Sequence, residues 1–504
     1  MGKRSFLTLV IISLNIIQAQ DSTYFNKILN PENTYATGRS ILQIGNSYFG
    51  LCGTEINSSI GIKLGLFELD LIGNLINWKI IGENNHHYFP GIVGGILIRT
   101  NDDNLAFACH VQDINTAYST LVKLNLELDT IWKKDYYTEN YWTLAFNCRQ
   151  TSDNGYILVG SVKPTEESFW DFLLLKTDSL GNMQWYQSYS YYLQEEAETV
   201  IQTPDGGYLI GGFRYDPAVN HSLDALVIKT DSLGNEEWTK TFGNPNVDDD
   251  MAHVDMADDG NYLVATVFGE FTFGIDSRIG KQRIYKVNQQ GQIIDTYYPG
   301  VSRLHNYIRN FRKENDGYIM TGFSYETDSV TMALYTGWMM KTDNNIDSVW
   351  YRDYTHFNQL WDDNYLYDIN ACEDNGYIAI GEAHPDMGTE KLWVIKVDSM
   401  GCDTAGCATG TKIFELPARE KTEVVKIYPN PATSDITIAF QNTDHHKNMM
   451  LECYNIYGMQ VHTEKIWKGQ QETRIDLRGW AKGLYFAVVK SEGTLAGSVR
   501  FIRQ

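Results

Sequence analysis

Leu226-Val227-Ile228-Lys229-Thr230-Asp231-Ser232-Leu233-Gly234-Asn235-Glu236-Glu237-Trp238 reproduces, almost letter for letter, the segment Leu173-Leu174-Leu175-Lys176-Thr177-Asp178-Ser179-Leu180-Gly181-Asn182-Met183-Gln184-Trp185. An apolar run, a Lys-x-Asp end, a tight turn and a tryptophan make one unit. Registered on its turn residue, the unit recurs at Asp70, Asn125, Asp178, Asp231, Asn288, Asp343 and Asp398, with steps of 53 to 57 residues. A second anchor keeps the same register: a turn followed by an apolar strand, as at Asn154-Gly155-Tyr156, Gly206-Gly207-Tyr208, Asp316-Gly317-Tyr318 and Asn375-Gly376-Tyr377.

Each unit holds four short strands: one before the Gly-Tyr turn, one after it, one ending in Lys-x-Asp and one starting at the tryptophan. Periods of this size, with Gly/Asn/Asp turns and short apolar runs, are the mark of propeller blades rather than helical repeats. The expected fold is all-β, a seven-bladed β-propeller over residues 20–407. Asp178 and Asp231 read as turn-makers, because an Asp at the head of a turn bonds its own following backbone while Gly or Asn tolerates positive φ. The spacing departs from the sialidase Asp-box, since three residues rather than two lead from Asp to Gly. A ring of blades must also close, or its last sheet keeps an unpaired edge. The seventh unit lacks a tryptophan strand after Asp398, and Thr23-Tyr24-Phe25-Asn26-Lys27-Ile28 resembles Trp238-Thr239-Lys240-Thr241-Phe242. The N-terminal strand is therefore expected to complete the last blade.

Residues 1–19 read as a secretory signal: Lys3 and Arg4, an apolar run from Phe6 to Ile12 extended to Ile17, and a small Ala19 before Gln20. No cysteine follows the apolar run, so the signal is not of the lipoprotein kind. No other stretch is long and apolar enough to span a bilayer. A formal charge of −22 argues against a nucleic-acid partner, which needs a basic surface, and leaves cations such as calcium open. The 32 tyrosines and 12 tryptophans sit mostly in expected strands, where packing explains them first. Cys52, Cys109, Cys148, Cys372 and Cys453 also fall on strands and read as small buried hydrophobes. Cys402 and Cys407 lie close together past the last blade, where an oxidising compartment permits a disulfide. No zinc-type spacing occurs, and no metal or other cofactor is expected.

After a linker at 408–423 the repeat gives way to a module at 424–504 with strands at Val424–Tyr428, Ile436–Phe440, Leu451–Tyr457, Thr473–Leu477, Gly483–Val489 and Ser498–Ile502. Six or seven strands in so short a span indicate a small Ig-like β-sandwich. The module resembles the type A C-terminal sorting domain of the type IX secretion system. The resemblance rests on Tyr428-Pro429-Asn430-Pro431, Tyr454-Asn455-Ile456-Tyr457-Gly458, Ile475-Asp476-Leu477, Gly483-Leu484-Tyr485-Phe486 and the closing strand Val499-Arg500-Phe501-Ile502-Arg503. It implies export across two membranes, with the type IX machinery as partner, then removal of the domain and release or surface anchoring. His445 and His446 fall in a turn of this module and read as solvated. The propeller is similar to repeat propellers found upstream of such domains, which names an architecture and no activity.

Ligands of propellers meet the face shared by the loops between second and third strands and between blades. Nine residues before each Gly-Tyr anchor stand Arg39, Ile96, Asn147, Thr199, His253, Arg309 and Asp368. Two residues further on, Arg149, Asp255 and Asn370 appear among apolar equivalents. Positions two apart on a strand share a side, so His253 and Asp255 reach the same space. Arg149, His253, Asp255, Arg309 and Asp368 are thus the candidate ligand-binding residues, against a structural reading in which they pack between blades. The acidic clusters Glu195-Glu196, Asp248-Asp249-Asp250 and Asp362-Asp363 keep register and read as structural, with a hard cation as the alternative. Phe169, Trp170, Tyr215, Phe271, Phe273, Tyr325 and Tyr335 decorate the variable loops and suit a sugar or peptide surface.

The leading expectation is a secreted or surface binding or adhesion propeller without catalysis, taking a glycan or protein on its loop face. The alternative is a carbohydrate-active enzyme using mouth carboxylates such as Asp255 with Asp368, which hydrolysis would require roughly 5 to 9.5 Å apart. A quinone-dependent dehydrogenase is a third class, but no axial haem or adjacent-cysteine motif accompanies the tryptophans.

Overall fold

In a computed structural model, residues 24–29, 31, 35–55, 61–91, 93–113, 115–139, 142–191, 194–215, 223–243, 248–270, 279–301, 303–327, 333–359, 361–386, 388–404, 407, 425–440, 449–455, 460–467, 469–491 and 494–504 are described. The expected signal, the linker, Phe271, Phe273, His445, His446 and Ile456 to Gly458 lie outside them. The chain divides into two compact units, Met1–Thr409 and Gly410–Gln504. No described residue is in an α-helix.

In the first unit each sequence repeat forms a group of four antiparallel strands taken in chain order. The unit at 194–242 shows the plan: Gln194–Gln202, Tyr208–Tyr215, Leu223–Thr230 and Glu236–Phe242 lie side by side. The third strand of this sheet is buried almost throughout, and the outermost is exposed at its start. Burial on both faces explains the continuous apolar runs: each sheet is covered by its neighbours, so alternation is lost.

Both sequence anchors meet inside the blade. Asp178 accepts from the amides of Leu180 at 2.9 Å and Asn182 at 2.8 Å, and Asp231 repeats this with Leu233 and Asn235, as expected of turn-makers. The lysine of Lys-x-Asp then ties that strand to the Gly-Tyr turn: Lys176 to Asp153 at 2.8 Å, Lys229 to Asp205 at 2.9 Å, Lys396 to Asp374 at 2.8 Å. Lys123–Asp102, Lys286–Asp259 and Lys341–Asp316 do the same. In the first blade Glu68 replaces the lysine and accepts from Ser47 Oγ at 2.6 Å.

Neighbouring sheets share apolar cores in sequence order. Ile157, Val159 and Leu174 pack on Val200, Ile210 and Leu226, and Leu209 and Val227 pack on Val254, Val264 and Val287. The series ends where Ile378, Ile380 and Val394 pack against Ile41, Tyr48 and Phe67, so the last sheet meets the first and the ring closes. The tryptophans are wedges between blades. A Cβ at Gly181 would stand 2.8 Å from Trp132, one at Gly234 2.9 Å from Trp185, and one at Gly401 2.9 Å from Trp350. These glycines have φ of 76°, 79° and 73°, a region that only glycine enters freely.

The seam is made by backbone pairing with the N-terminal strand. Phe25–Leu29 pairs antiparallel with Lys391–Val397, with Phe25 opposite Lys396 and Ile28 opposite Trp393. Phe25 takes the tryptophan's part, its ring 2.8 Å from where a Cβ on Gly73 would be. Cys402 and Cys407 form a disulfide just beyond this sheet, and the other five cysteines are buried thiols.

The second unit is a sandwich of two sheets. Val425–Tyr428, Asp435–Phe440 and Glu472–Asp476 form one; Gln460–Ile466, Met449–Asn455, Gly483–Ser491 and Thr494–Arg503 form the other. Ile436, Ile438, Leu451, Ala487, Val489 and Phe501 fill the core between them. The strand Gln460–Ile466 was missing from the expected set because its sequence is mostly polar, as befits an edge.

The seam sets the first prediction. Phe25 is 7% exposed, so Phe25→Ala should lower stability by about 3–5 kcal/mol. A urea-unfolding midpoint unchanged by the substitution would refute the assignment of this strand to the seam.

Candidate functional site

The strand of each blade nearest the ring axis carries the chemistry. Five of these inner strands contain a β-bulge, where one extra residue is left unpaired: Arg39, Phe146, Glu198, Arg309 and Tyr367. A bulge re-aims its side chain and recurs beside functional sites. Counting nine residues back from the Gly-Tyr anchor mixes two positions, because blades one and six turn in fewer residues (Gly45-Asn46 and Asn315-Asp316). Arg39 and Arg309 sit on the bulge. Asn147, Thr199 and Asp368 sit one residue beyond it, where the true equivalents in blades one and six are Ser40 and Asn310; His253 holds the same place in the fifth blade, whose inner strand pairs without a bulge from His253 onward.

The residues beyond the bulge staple blade to blade. Asn147 Nδ2 donates to the Glu198 carbonyl at 3.1 Å, and Thr199 Oγ1 to the Ala252 carbonyl at 3.2 Å. His253 Nε2 lies 3.1 Å from the Ile308 carbonyl, and burial together with the nearby Arg309 charge lowers this histidine to about 3, so its neutral ring donates there. Asp368 has no exposed surface. Its carboxylate accepts from Ser40 Oγ at 2.7 Å, the Ile41 amide at 3.0 Å and the Ile369 amide at 2.9 Å, and from Asn310 Nδ2.

The second blade departs from the pattern. Its inner strand shrinks to Ile98–Arg99, and the preceding segment from Val93 to Leu97, with Gly94 and Gly95 in it, leaves the sheet to meet the other inner strands. The Gly94 amide donates to the Arg309 carbonyl at 2.8 Å. Asn147 and Arg149 donate to the carbonyls of Gly94 and Gly95 at 3.4 and 2.7 Å. A Cβ on Gly94 would stand 2.3 Å from the Tyr367 carbonyl, so only glycine fits. Arg149 is therefore half-buried and turned to this segment, beside Arg312. Asp255 accepts from the Lys313 amide at 2.7 Å and the Met256 amide at 2.7 Å, and burial raises its carboxyl above the usual range.

On the other side of the staples, toward the loop face, the bulge residues and their neighbours build a polar and aromatic mouth. The Arg39 guanidinium lies 4.2 Å over the Tyr367 ring. Tyr367 donates its hydroxyl to Glu382 Oε1 at 3.1 Å. Arg309 lies 4.9 Å from the Tyr307 ring and 5.0 Å from Phe323, and pairs with Asp250 at 3.5 Å. Tyr365 contacts Phe323 at 4.5 Å and Tyr335 at 5.2 Å between ring centres, and Tyr325 meets Tyr335 at 4.8 Å. Glu198 is 1% exposed, and its Oε2 has no hydrogen-bond partner among the described residues. Burial and the neighbouring Glu196 raise its carboxyl well above the ordinary value.

The acidic clusters hold backbone amides in place. Asp249 accepts from Gly269, Asp250 from Ile308, and Asp362 from Gln359 and Asp386, each between 2.6 and 2.9 Å. Among the described residues no group of three or more His, Cys, Asp or Glu side chains is arranged to hold a metal ion. Of the loop aromatics, Phe169 and Tyr215 are exposed, and Trp170 packs against Trp142 at 5.9 Å. Sequence reasoning missed Tyr367, Glu198, Glu382 and the exposed Trp361. Counting from the bulge instead of the turn would have found the first two, but bulges leave no mark in composition. The glycines of Gly91-Ile92-Val93-Gly94-Gly95 were the visible signal for the segment at the axis.

The closed ring of four-stranded sheets makes the first unit a β-propeller. Residues 426–502 match the family model of the secretion system C-terminal sorting domain. The chain thus carries a type IX sorting domain, which directs it to the extracellular space or the outer cell surface. In that domain Tyr428, Pro429 and Asn430 are exposed, and Tyr485 is buried with its hydroxyl donating to the Ala481 carbonyl at 2.8 Å. Among the described residues no helix is long and apolar enough to cross a membrane. No curated protein matches the sequence. Similar solved structures include the β-propeller domain of the Trilobed protease from Pyrococcus furiosus, at 8% identity, TM-score 0.40, over 72% of this chain and 95% of that one. Polysaccharide lyase Uly1 is similar at 8% identity and TM-score 0.44, over 77% and 94%. A PL25 ulvan lyase is similar at 10% identity and TM-score 0.42, over 77% and 97%. Likeness at this level has no bearing on substrate.

Glu198 gives a pH prediction. An acid whose folded pKa is raised stabilises fully below its unfolded value near 4.5 and loses that contribution as pH rises toward the folded pKa. The parent protein should therefore lose stability above about pH 4.5 more steeply than Glu198→Gln. Parallel pH curves of melting temperature for the two proteins would contradict the buried, protonated carboxyl.

Proposed function

We propose that the chain is a secreted or surface-held, seven-bladed propeller that binds a glycan at the mouth formed on the bulge side of its inner strands, without catalysing a reaction. In this reading 1–19 is the signal peptide, 20–407 the propeller, 408–423 the linker and 424–504 the sorting domain. The observation that carries it is the aromatic wall of Tyr307, Phe323, Tyr325, Tyr335, Tyr365 and Tyr367 beside two guanidinium groups. Sugar rings present apolar C–H faces and polar edges, and aromatic faces with fixed hydrogen-bonding groups at their margin suit both. Arg309 belongs to this mouth. His253 and Asp368 serve it indirectly, by locking the inner strands that carry the bulges, and Arg149 and Asp255 lie on the far side of the staples.

A second reading, a carbohydrate-active enzyme, is favoured by Glu198. A carboxyl kept protonated by burial is the form a general acid needs. Its neighbour Glu196, rather than Asp255 with Asp368, would then be the second carboxyl, because backbone amides and side chains already engage the oxygens of Asp255 and Asp368.

Binding of a neutral and acidic oligosaccharide panel to the full chain, read by calorimetry, tests the proposal. Tyr335→Ala and Tyr365→Ala should each weaken the best ligand about tenfold, the effect of roughly 1.4 kcal/mol expected for a lost stacking face. Affinity indifferent to both substitutions would move the ligand off this face, and product formation from any bound oligosaccharide would favour the enzymatic reading.

A further inference from the structure

The large apolar residues exposed on the first unit sort by chemistry between its two faces. Among the described residues, the exposed aliphatic ones, such as Ile72, Ile76, Leu180, Leu233 and Ile294, stand in the Lys-x-Asp turns or at the strand starts that follow them. The exposed aromatic ones, Tyr137, Phe169, Tyr191, Tyr215, Tyr298 and Trp361, stand at the other end of the strands, on the loop face, with Tyr24 as the exception. Aliphatic surface serves any apolar partner, whereas flat rings offered to solvent suit the C–H faces of sugars.

The register of the repeat picks out a second aromatic group on that face. Six residues before the lysine of each Lys-x-Asp, or before Glu68 in the first blade, stands the residue at the loop-face end of the third strand. Tyr335 holds this place in the sixth blade and Trp170 in the third, whereas the other blades have Ile62, Ala117, Leu223, Gly280 and Glu390. Trp170 and Trp142 are half-buried, with ring centres 5.9 Å apart, and Phe169 beside them is 54% exposed. Trp142 pairs with Ala117, next to Tyr118, whose ring lies 4.8 Å from the exposed Tyr137. The Lys163 ammonium, 5.9 Å from the centre of the Trp142 ring, adds a hydrogen-bond donor.

In the seven-bladed ring proposed above, the third and sixth blades are as far apart as two blades can be. Sheets packed about 10 Å apart would set them on the order of 20 Å from one another across the mouth. A disaccharide is too short to touch both. We propose that Trp142, Phe169 and Trp170 form a second stacking platform, opposite Tyr335 and Tyr365, so that one long polysaccharide chain is held at both sides of the mouth. This rests on the glycan reading above and extends it from a short saccharide to a polymer. Two contacts on one chain reinforce each other, because binding at the first raises the local concentration at the second.

The test is calorimetric titration of the full chain with xylose, mannose, glucose and galacturonate oligomers, each as disaccharide and as decasaccharide. The best decasaccharide should bind at least about tenfold more tightly than its own disaccharide. Phe169→Ala and Trp170→Ala, each checked for an unchanged melting temperature, should remove most of that advantage, whereas Tyr335→Ala should weaken both lengths. Phe169 is exposed, so its variant decides the outcome where Trp170→Ala proves unstable. A decasaccharide no tighter than its disaccharide, or an advantage that survives the Phe169 and Trp170 substitutions, would overturn the second platform while leaving glycan binding at the sixth blade intact. Failure of every oligomer to bind would remove the platform together with the glycan reading.

Discussion

A ring of sheets has a single seam, and here the pairing of Phe25–Leu29 with Lys391–Val397 closes it. Elsewhere the sheets share their apolar cores with sequence neighbours, whereas this pairing joins the two ends of the unit. Without it the last sheet would expose an edge and the first would lose its packing partner. Asp368 reinforces the same seam from the axis side, because its carboxylate bonds Ser40 and Ile41 across the join. Arg39, Tyr367 and Glu382 all lie on the two blades that this seam brings together, so the contact of Arg39 with Tyr367 at the mouth exists only in the closed ring.

One residue's shift along the inner strands separates two kinds of work. Side chains just past the bulge, with His253 at the same place in the unbulged fifth blade, point to the next blade and are consumed in staples: Asn147, Thr199, His253, Asn310 and Asp368. Side chains on the bulge turn toward the mouth: Arg39, Glu198, Arg309 and Tyr367. The staples explain why buried polar residues recur where apolar ones would pack as well: Asn147, Thr199 and His253 meet carbonyls of the next blade, and Asp368 meets Asn310, the Ser40 hydroxyl and the Ile41 amide. The glycine segment at Gly94-Gly95 adds a cross-brace at the axis, where it bonds the Arg309 carbonyl and takes donors from Asn147 and Arg149.

Architecture was the most legible part of the sequence. The Lys-x-Asp and Gly-Tyr anchors were readable because the two ends of one salt bridge repeat in every blade but the first, and the tryptophans because Trp132, Trp185, Trp238 and Trp350 each lie on a glycine of the following blade. The closing strand was readable because Phe25 occupies a tryptophan's place. The sorting domain was readable from its Tyr-Pro-Asn-Pro and closing-strand segments. The mouth was not legible. Its residues are placed by bulges, and a bulge depends on how two strands pair rather than on which residue types they contain. Two blades with shorter turns shifted the count by one and mixed Arg39 and Arg309 with the stapling position. Glu382 lies on a second strand, and only tertiary folding brings it to Arg39.

The central claim is that the bulge side of the inner strands is the face a ligand uses. Hydroxyl-radical footprinting of the full chain, with and without a saturating oligosaccharide, tests it most directly. The account predicts reduced oxidation at Tyr325, Tyr335, Tyr365 and the exposed Trp361, with no change at the exposed Leu180 and Leu233 of the Lys-x-Asp turns. Protection at those turns with the tyrosines unchanged would contradict it and place the ligand on the opposite face.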